Sequence, residues 1–273
     1  MPKTMKKIKV ALCIPVYGPQ PPEFWAPLIE QMLDLQRHGI ELIGPIVESS
    51  MAADRNRNAI ARRALASDAE WSYWMDVDNI NPVKTLKRLL DTAGKERLLV
   101  SGLYYLKQPP HRPVVYRRLP DGRYTNLDNW ERGEILQVDA AGMNCALIHR
   151  RVFEDIDANF VALQRASGGI VPVHRDDIHG DLFDQTVSEL DGSVIEGVWH
   201  QRMRLPSQPE QTPFFYLEYN RTEDMAFFEM AARLGHKLYV DTSIECGHLD
   251  WKVVTGSQYR EALAASVAGS LPV

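Results

Sequence analysis

The chain has 273 residues, 45% hydrophobic and 25% charged, a composition that excludes disordered and fibrous classes and suits one globular domain with a large core. Its 31 basic and 36 acidic residues leave a net charge of −5 with no basic block, which disfavours bulk binding to nucleic acid or to an anionic membrane. No stretch approaches the roughly 20 apolar residues of a membrane-spanning helix.

Lys3, Lys6, Lys7 and Lys9 resemble the start of a signal peptide, but the following run Val10 to Val16 is short and contains Pro15, so it reads as a first strand. That strand, Ile8 to Ile14, closes in the sharp loop Pro15-Val16-Tyr17-Gly18-Pro19. Phe24 to His38 reads as a helix with Leu28, Met32 and Leu35 inward and Gly39 as its stop. Ile40 to Val47 is a second strand, and Asp54 is the expected N-cap of a helix to about Leu65, with Ile60 and Ala64 facing in.

The strand beginning Trp71-Ser72-Tyr73-Trp74 runs into Met75-Asp76-Val77-Asp78-Asn79. Thr85 to Gly94 is a helix and Arg97 to Leu103 a strand leading to Tyr104-Tyr105. The alternation of strand and helix predicts a mainly parallel, twisted sheet covered by helices on both faces. Turn signals such as Asp121-Gly122 fill His111 to Gln137, a mixed apolar segment follows over Val138 to His149, and Arg151 to Gln164 has helical character. Residues 167–213 are polar and without period, as functional lids are. Phe214 to Tyr219 reads as a strand, Glu223 to Leu234 as a helix stopped by Gly235, and Lys237 to Val240 as a strand. The expected organisation is a single domain over 1–273, with a nucleotide-binding half at about 8–105, an acceptor-side half at about 106–255 and a tail at 256–273. Cys13, Cys145 and Cys246 stand far apart without CxxC spacing and read as buried free thiols of a cytoplasmic protein.

Asp76 and Asp78 carry the first chemical signal. In an extended chain alternate side chains share a face, so both carboxylates can reach one hard divalent cation and leave it positions for phosphate oxygens. Acidic pairs of this kind are also common in solvated loops, and what distinguishes this one is its place at the carboxyl end of a strand, where open α/β sheets bind ligands. Arg55 and Arg57 carry the second. Placed in the first turn of the Asp54 helix they oppose its dipole, a conflict that a bound anion removes; a pyrophosphate facing Arg57 and simple solvation are both consistent with the spacing.

Ile14-Pro15-Val16-Tyr17, Met75-Asp76-Val77-Asp78, Val138 to Cys145, and Thr222-Glu223-Asp224 with Cys246-Gly247-His248 follow one another as four separated signals. In this order the sequence resembles the GT-A glycosyltransferases, DXD-containing enzymes with one Rossmann-like domain that use nucleotide sugars. The resemblance spans about residues 8–250. It implies a metal-dependent transfer of sugar from a UDP- or GDP-linked donor to a hydroxyl-bearing acceptor. Pro15 and Tyr17 would flank the base and Glu48 would lie near base or ribose. Asp78 and His248 would ligate the metal, with Asp76 on the metal, its water or the ribose. Mixed carboxylate and imidazole ligation favours Mn²⁺, with Mg²⁺ as the alternative. Asp224, supported by Glu223, would be the general base, although acids in the first turn of a helix capped by Thr222 are favourable without catalysis. Asp139, Gly142 and Asn144 would contact donor sugar and acceptor.

Two other readings remain beside this one. A sugar nucleotidyltransferase usually carries a Gly-rich basic loop after the first strand, which Pro15-Val16-Tyr17-Gly18 lacks. A non-catalytic nucleotide-sugar binding protein would bind donor without turnover. His174, Asp176, Asp177, His179 and Asp181 suggest a second metal site, but their irregular spacing in a polar segment favours an acceptor lid.

Overall fold

A computed structural model describes residues 7–18, 20–50, 52–166, 211–217, 222–250 and 253–267. The His174 to Asp181 cluster and nearly all of the expected lid lie outside these residues. The first half alternates as expected: β1 (Ile8–Val16), α1 (Pro22–Arg37), β2 (Ile40–Ser49), α2 (Ala53–Ala66), β3 (Trp71–Trp74), β4 (Asn79–Ile80), α3 (Thr85–Thr92) and β5 (Leu99–Leu103). Then come β6 (Val115–Arg118), β7 (Tyr124–Asn126), β8 (Ile135–Val138), β9 (Ala140–Ala141), a 3₁₀ turn at Met143–Cys145, β10 (Ala146–His149) and α4 (Arg150–Ala166). The chain closes with α5 (Glu223–Arg233), β11 (Leu238–Glu245), β12 (Gly247–Leu249), β13 (Val253–Val254) and α6 (Gly256–Val267).

Seven strands form the central sheet in the order β2-β1-β3-β10-β5-β11-β8. The pairs β1/β2, β1/β3 and β5/β11 are parallel, whereas β10 and β8 run against their neighbours. The sheet is thus mostly parallel and flanked by helices, in agreement with the sequence. Side chains of β1 alternate between two cores: Ala11 and Cys13 pack with α2, α4 and α5, and Val10, Leu12 and Ile14 with α1 and α3. All three cysteines are buried free thiols. Among the described residues no helix is long and apolar enough to cross a membrane.

Three local expectations are corrected. Helix α2 begins at Ala53, with Ala52 at the N-cap and no side-chain cap, so Asp54 lies inside the first turn and Arg57 falls in the second. Thr222 occupies the N-cap of α5, but its side chain makes no capping bond. Residues 214–217 form no strand. The Asn58 amide instead pairs with both backbone groups of Phe215, at 2.5 and 3.1 Å, which satisfies a buried peptide without a ladder.

Candidate active site

An aromatic cluster fixes the distance between the Asp76 segment and α5. Trp74 lies 5.4 Å from Phe215 between ring centres, and Phe215 stacks on Phe227 at 4.8 Å. Phe153 touches Phe214, Phe215 and Phe227. Such ring pairs contribute about 0.5–1.5 kcal/mol each beyond their buried area. Trp74 stands two residues before Asp76, and Phe227 stands one helical turn after Glu223, so this packing holds the acids of two elements at one end of the sheet.

Between them lies Arg57, its side chain 3% exposed. Its Nη2 donates to Asp76 Oδ2 at 3.0 Å and its Nε to Glu223 Oε1 at 3.2 Å, with Asp224 Oδ1 3.4 Å away. The Asn56 amide donates to the carbonyls of Val16 and Ser50, which locks this end of α2 to the ends of β1 and β2. Arg57 is therefore a buried counter-ion to three carboxylates rather than a solvated side chain. One guanidinium against three acids leaves excess negative charge. Burial accordingly raises the Asp76 and Asp224 carboxyls despite the opposing pull of Arg57, and Asp224 is pushed up to about 7. Arg57 Nη1, Asp76 Oδ1 and Asp224 Oδ1 are buried without a hydrogen-bond partner among the described residues. Orphaned buried polar atoms are uncommon, and three in one cluster suit a ligand.

The extended Asp76-Val77-Asp78 segment expected from the sequence is replaced by a turn, closed by the Asn79 N–H donating to the Asp76 carbonyl at 3.1 Å. The two carboxylates diverge. Asp76 turns to Arg57, and Asp78 Oδ2 meets Lys107 Nζ at 2.8 Å and His248 Nε2 at 3.3 Å. His248 reaches this place because β12 pairs with β4, opposite Asn79, and the Leu249 N–H donates to the Asp78 carbonyl at 2.6 Å. Burial opposes ionisation of Asp78, but hydrogen bonds from His248 and Lys107 outweigh it and hold the carboxyl down at about 2.

His248 Nδ1 is 2.7 Å from the Tyr105 carbonyl, which accepts only from an N–H. In the neutral ring Nε2 then presents a lone pair to the Asp78 carboxylate, and two acceptors face each other. A cation between them, or a second ring proton, resolves the conflict. The carbonyl partner on Nδ1 is also what orients metal-binding histidines. The donor set of one carboxylate and one imidazole thus fits a divalent cation completed by non-protein oxygens. Among the described residues no three His, Cys, Asp or Glu side chains converge on one point.

Around this centre, Asp224 Oδ2 accepts the Met143 N–H at 3.2 Å, which ties α5 to the 3₁₀ turn containing Asn144, itself buried. Gly142 lies against Tyr104, where an added Cβ would stand 1.3 Å from the phenol oxygen. Tyr104 also packs edge-on to His248 at 5.8 Å. Tyr17, 39% exposed, lies within the field of Arg57, Asp76, Glu223 and Asp224, and follows Pro15 and Val16 at the end of β1. Glu48 is opposite Pro15 in the β1/β2 register and is ion-paired to Arg63 at 2.7 Å. Asp139 is outside the cluster's contacts, its Oδ2 accepting the Arg118 N–H at 2.8 Å.

The sequence did not single out Lys107, Asn56 or Asn58, and it read Tyr104-Tyr105 only as the sequel to a strand. Lys107 and Tyr104 lie just past the carboxyl end of β5, a position that itself marks ligand-facing residues in such sheets. Asn56-Arg57-Asn58 is a polar run on the buried side of a helix, detectable only once the helix is oriented.

A seven-stranded, mostly parallel sheet flanked by helices, with charged residues gathered at one end, defines a Rossmann-like α/β fold. No protein-family model matches the sequence, and no curated protein does. Among solved structures the chain is similar to A197 from STIV, with 16% identity, a TM-score of 0.50, and coverage of 92% of this chain and 91% of that one. Structural neighbours also include a glycosyltransferase involved in the glycosylation of the major capsid of PBCV-1, with 15% identity, a TM-score of 0.28, and coverage of 56% and 66%. TarS 1-349 of S. aureus is another, with 10% identity, a TM-score of 0.36, and coverage of 94% and 63%. At 16% identity the likeness to A197 is one of fold alone.

Proposed function

We propose that the chain is a glycosyltransferase of the GT-A kind, transferring sugar from a UDP- or GDP-linked donor to a hydroxyl-bearing acceptor with a divalent cation, Mn²⁺ or Mg²⁺. The observation that carries this reading is the approach of Asp78 Oδ2 and His248 Nε2 to 3.3 Å, beside a buried arginine and three acids. Asp78 and His248 would hold the cation, which when bound supplies neutralisation of the departing nucleoside diphosphate. Tyr17 offers an apolar face to the base, in line with the resemblance of the β1 loop. Asp224 takes the proton of the acceptor hydroxyl: its Oδ2 is oriented by the Met143 N–H, its Oδ1 makes no hydrogen bond among the described residues, and a pKa near 7 suits a general base. Arg57 keeps Asp76, Glu223 and Asp224 in one geometry, which makes it a positioning residue.

The test is calorimetric titration with UDP, GDP, CDP and ADP, each with Mn²⁺ and with EDTA. Metal-dependent binding of one nucleotide is expected, followed by transfer from the matching sugar donor. Absence of binding to all four would overturn the reading, and binding without any turnover would leave a non-catalytic nucleotide-sugar receptor.

A further inference from the structure

A cavity of about 420 Å³ lies between the start of α3 and the end of β11, lined by Pro82 to Thr85, Arg88, Arg132 and the segment Ser243–Glu245. None of these residues belongs to the cluster around Arg57 and Asp78. The volume is that of a small-ligand site. Its charge is the opposite of the molecule's. Lys84, Arg88 and Arg132 line it, and none has a carboxylate partner among the described residues, in a chain whose net charge is −5. The one acid on its wall, Glu245, is paired with Arg260 at 3.0 Å.

The cations are placed by the fold rather than scattered. Lys84 is the N-cap of α3, and the Arg88 N–H donates to its carbonyl at 3.0 Å, so two like charges stand one turn apart on one helical face. That spacing is unfavourable in water and becomes favourable around an anion. Arg88 Nη1 donates to the Ser243 carbonyl at 3.1 Å, which aims the guanidinium across the cavity wall and leaves its other N–H groups available. Arg132 comes from the loop before β8. Its neighbour Gly133 donates its N–H to Thr242 Oγ1 at 2.9 Å, and the Thr242 N–H donates to the Glu134 carbonyl at 3.1 Å, which clamps this loop to β11. Two arginines and a lysine lining one small cavity suit a tetrahedral oxyanion carrying about two charges, as a phosphate monoester does near neutral pH.

We infer that this cavity is a second binding site, specific for a phosphate-bearing ligand and separate from the Asp78 centre. Thr85, on its wall, lies beside the thiol of Cys246, two residues before His248, which places ligand contacts close to a segment of that centre. The phosphate is that of a soluble phosphorylated molecule or of a lipid headgroup, and the experiment separates the two.

The full chain is titrated with inorganic pyrophosphate in EDTA at low salt, alongside Lys84→Glu, Arg88→Glu, Arg132→Glu and, as a control, Asp78→Ala. The three substituted cations are exposed, so the variants keep the fold. Each charge reversal is expected to weaken pyrophosphate binding by at least about tenfold, as for loss of a charge-assisted contact, while Asp78→Ala leaves it within about twofold. Co-sedimentation with vesicles containing phosphatidic acid, whose headgroup is a phosphate monoester, lost in the same three variants, assigns the lipid headgroup; pyrophosphate binding without vesicle recruitment assigns a soluble ligand. Wild-type protein that binds neither probe, or binding that all three reversals leave intact, overturns the inference.

Discussion

The Met143 N–H and Asp224 Oδ2 are 3.2 Å apart, a contact that joins the first turn of α5 to the turn entering β10 and leaves the second oxygen of Asp224 unbonded and buried. A carboxylate so held has one oxygen fixed by the backbone and the other facing the Arg57 guanidinium, 3.4 Å away.

Transfer by the wild-type protein is therefore expected to rise with pH through about 7, because burial raises the Asp224 carboxyl to that value and the base acts only when ionised. Asp224→Asn should cut the rate by about 10²–10⁴-fold, the usual contribution of a general base, while donor affinity changes little. The stability effect has the opposite sense to the rate. A carboxyl whose pKa is raised on folding contributes stability that is complete below its unfolded pKa and lost as pH rises through about 7. The melting temperature of the wild type should thus fall more steeply between pH 5 and 8 than that of Asp224→Asn, measured by scanning calorimetry; equal slopes would remove Asp224 as the group titrating there.

Arg57→Ala leaves Asp76, Glu223 and Asp224 in place without the guanidinium that touches all three. Removing one partner of a buried ion cluster costs about 3–5 kcal/mol. Urea denaturation at pH 8 should show that loss, and the deficit should shrink at pH 5 as the carboxyls take up protons. A deficit that is the same at both pH values would mean that lost packing, not charge, dominates.

On the proposed reading Lys107 and a divalent cation would compete for Asp78 Oδ2, since the ammonium already stands 2.8 Å away. The pair is partly exposed, so its worth is at most about 1 kcal/mol. Lys107→Met should accordingly tighten Mn²⁺ binding in the absence of nucleotide by up to about fivefold, whereas His248→Ala should weaken it. Calorimetry with Mn²⁺ alone reads both effects. Unchanged affinity in His248→Ala would remove the imidazole from the ligand set.

Gly142→Ala forces a methyl group into the phenol of Tyr104, with 1.3 Å to the oxygen and 2.4 Å to Cζ. Overpacking of this kind costs about 1–3 kcal/mol. Tyr104→Phe removes only the nearer atom, so the double variant should recover part of the stability and no more. Full recovery in thermal melts would show that the oxygen alone sets the limit.

The alternation in the first half was legible because β1, β3 and β5 are short apolar runs buried on both faces, set between helices with clear stop signals. Strand β10 was not, since Ala146 to His149 is too short to show a period and its pairing with β3 and β5 is decided by distant partners. At the site, the spacing of Asp76 and Asp78 marked the end of the sheet where the charged cluster lies but implied the wrong backbone. The carboxylates part because Asn79 closes a turn and β12 pairs with β4, neither of which leaves a local trace. The environment of Arg57 was hidden for a similar reason: Glu223 and Asp224, its partners beside Asp76, lie 166 and 167 positions away, as 223 − 57 and 224 − 57 give.

The reversal of β10 also shapes how such a protein can diversify. The chain leaves β5 at Leu103 and enters the neighbouring β10 at Ala146, whose Cα partner is Ser101, after an excursion that also supplies the edge strand β8. Residues 104–145 are thus a cassette with its two ends side by side. Exchange or lengthening of such an excursion adds little closure entropy, growing only with the logarithm of its length. The loops of this excursion can therefore change while the register of β1, β3, β5 and β10 is inherited unchanged.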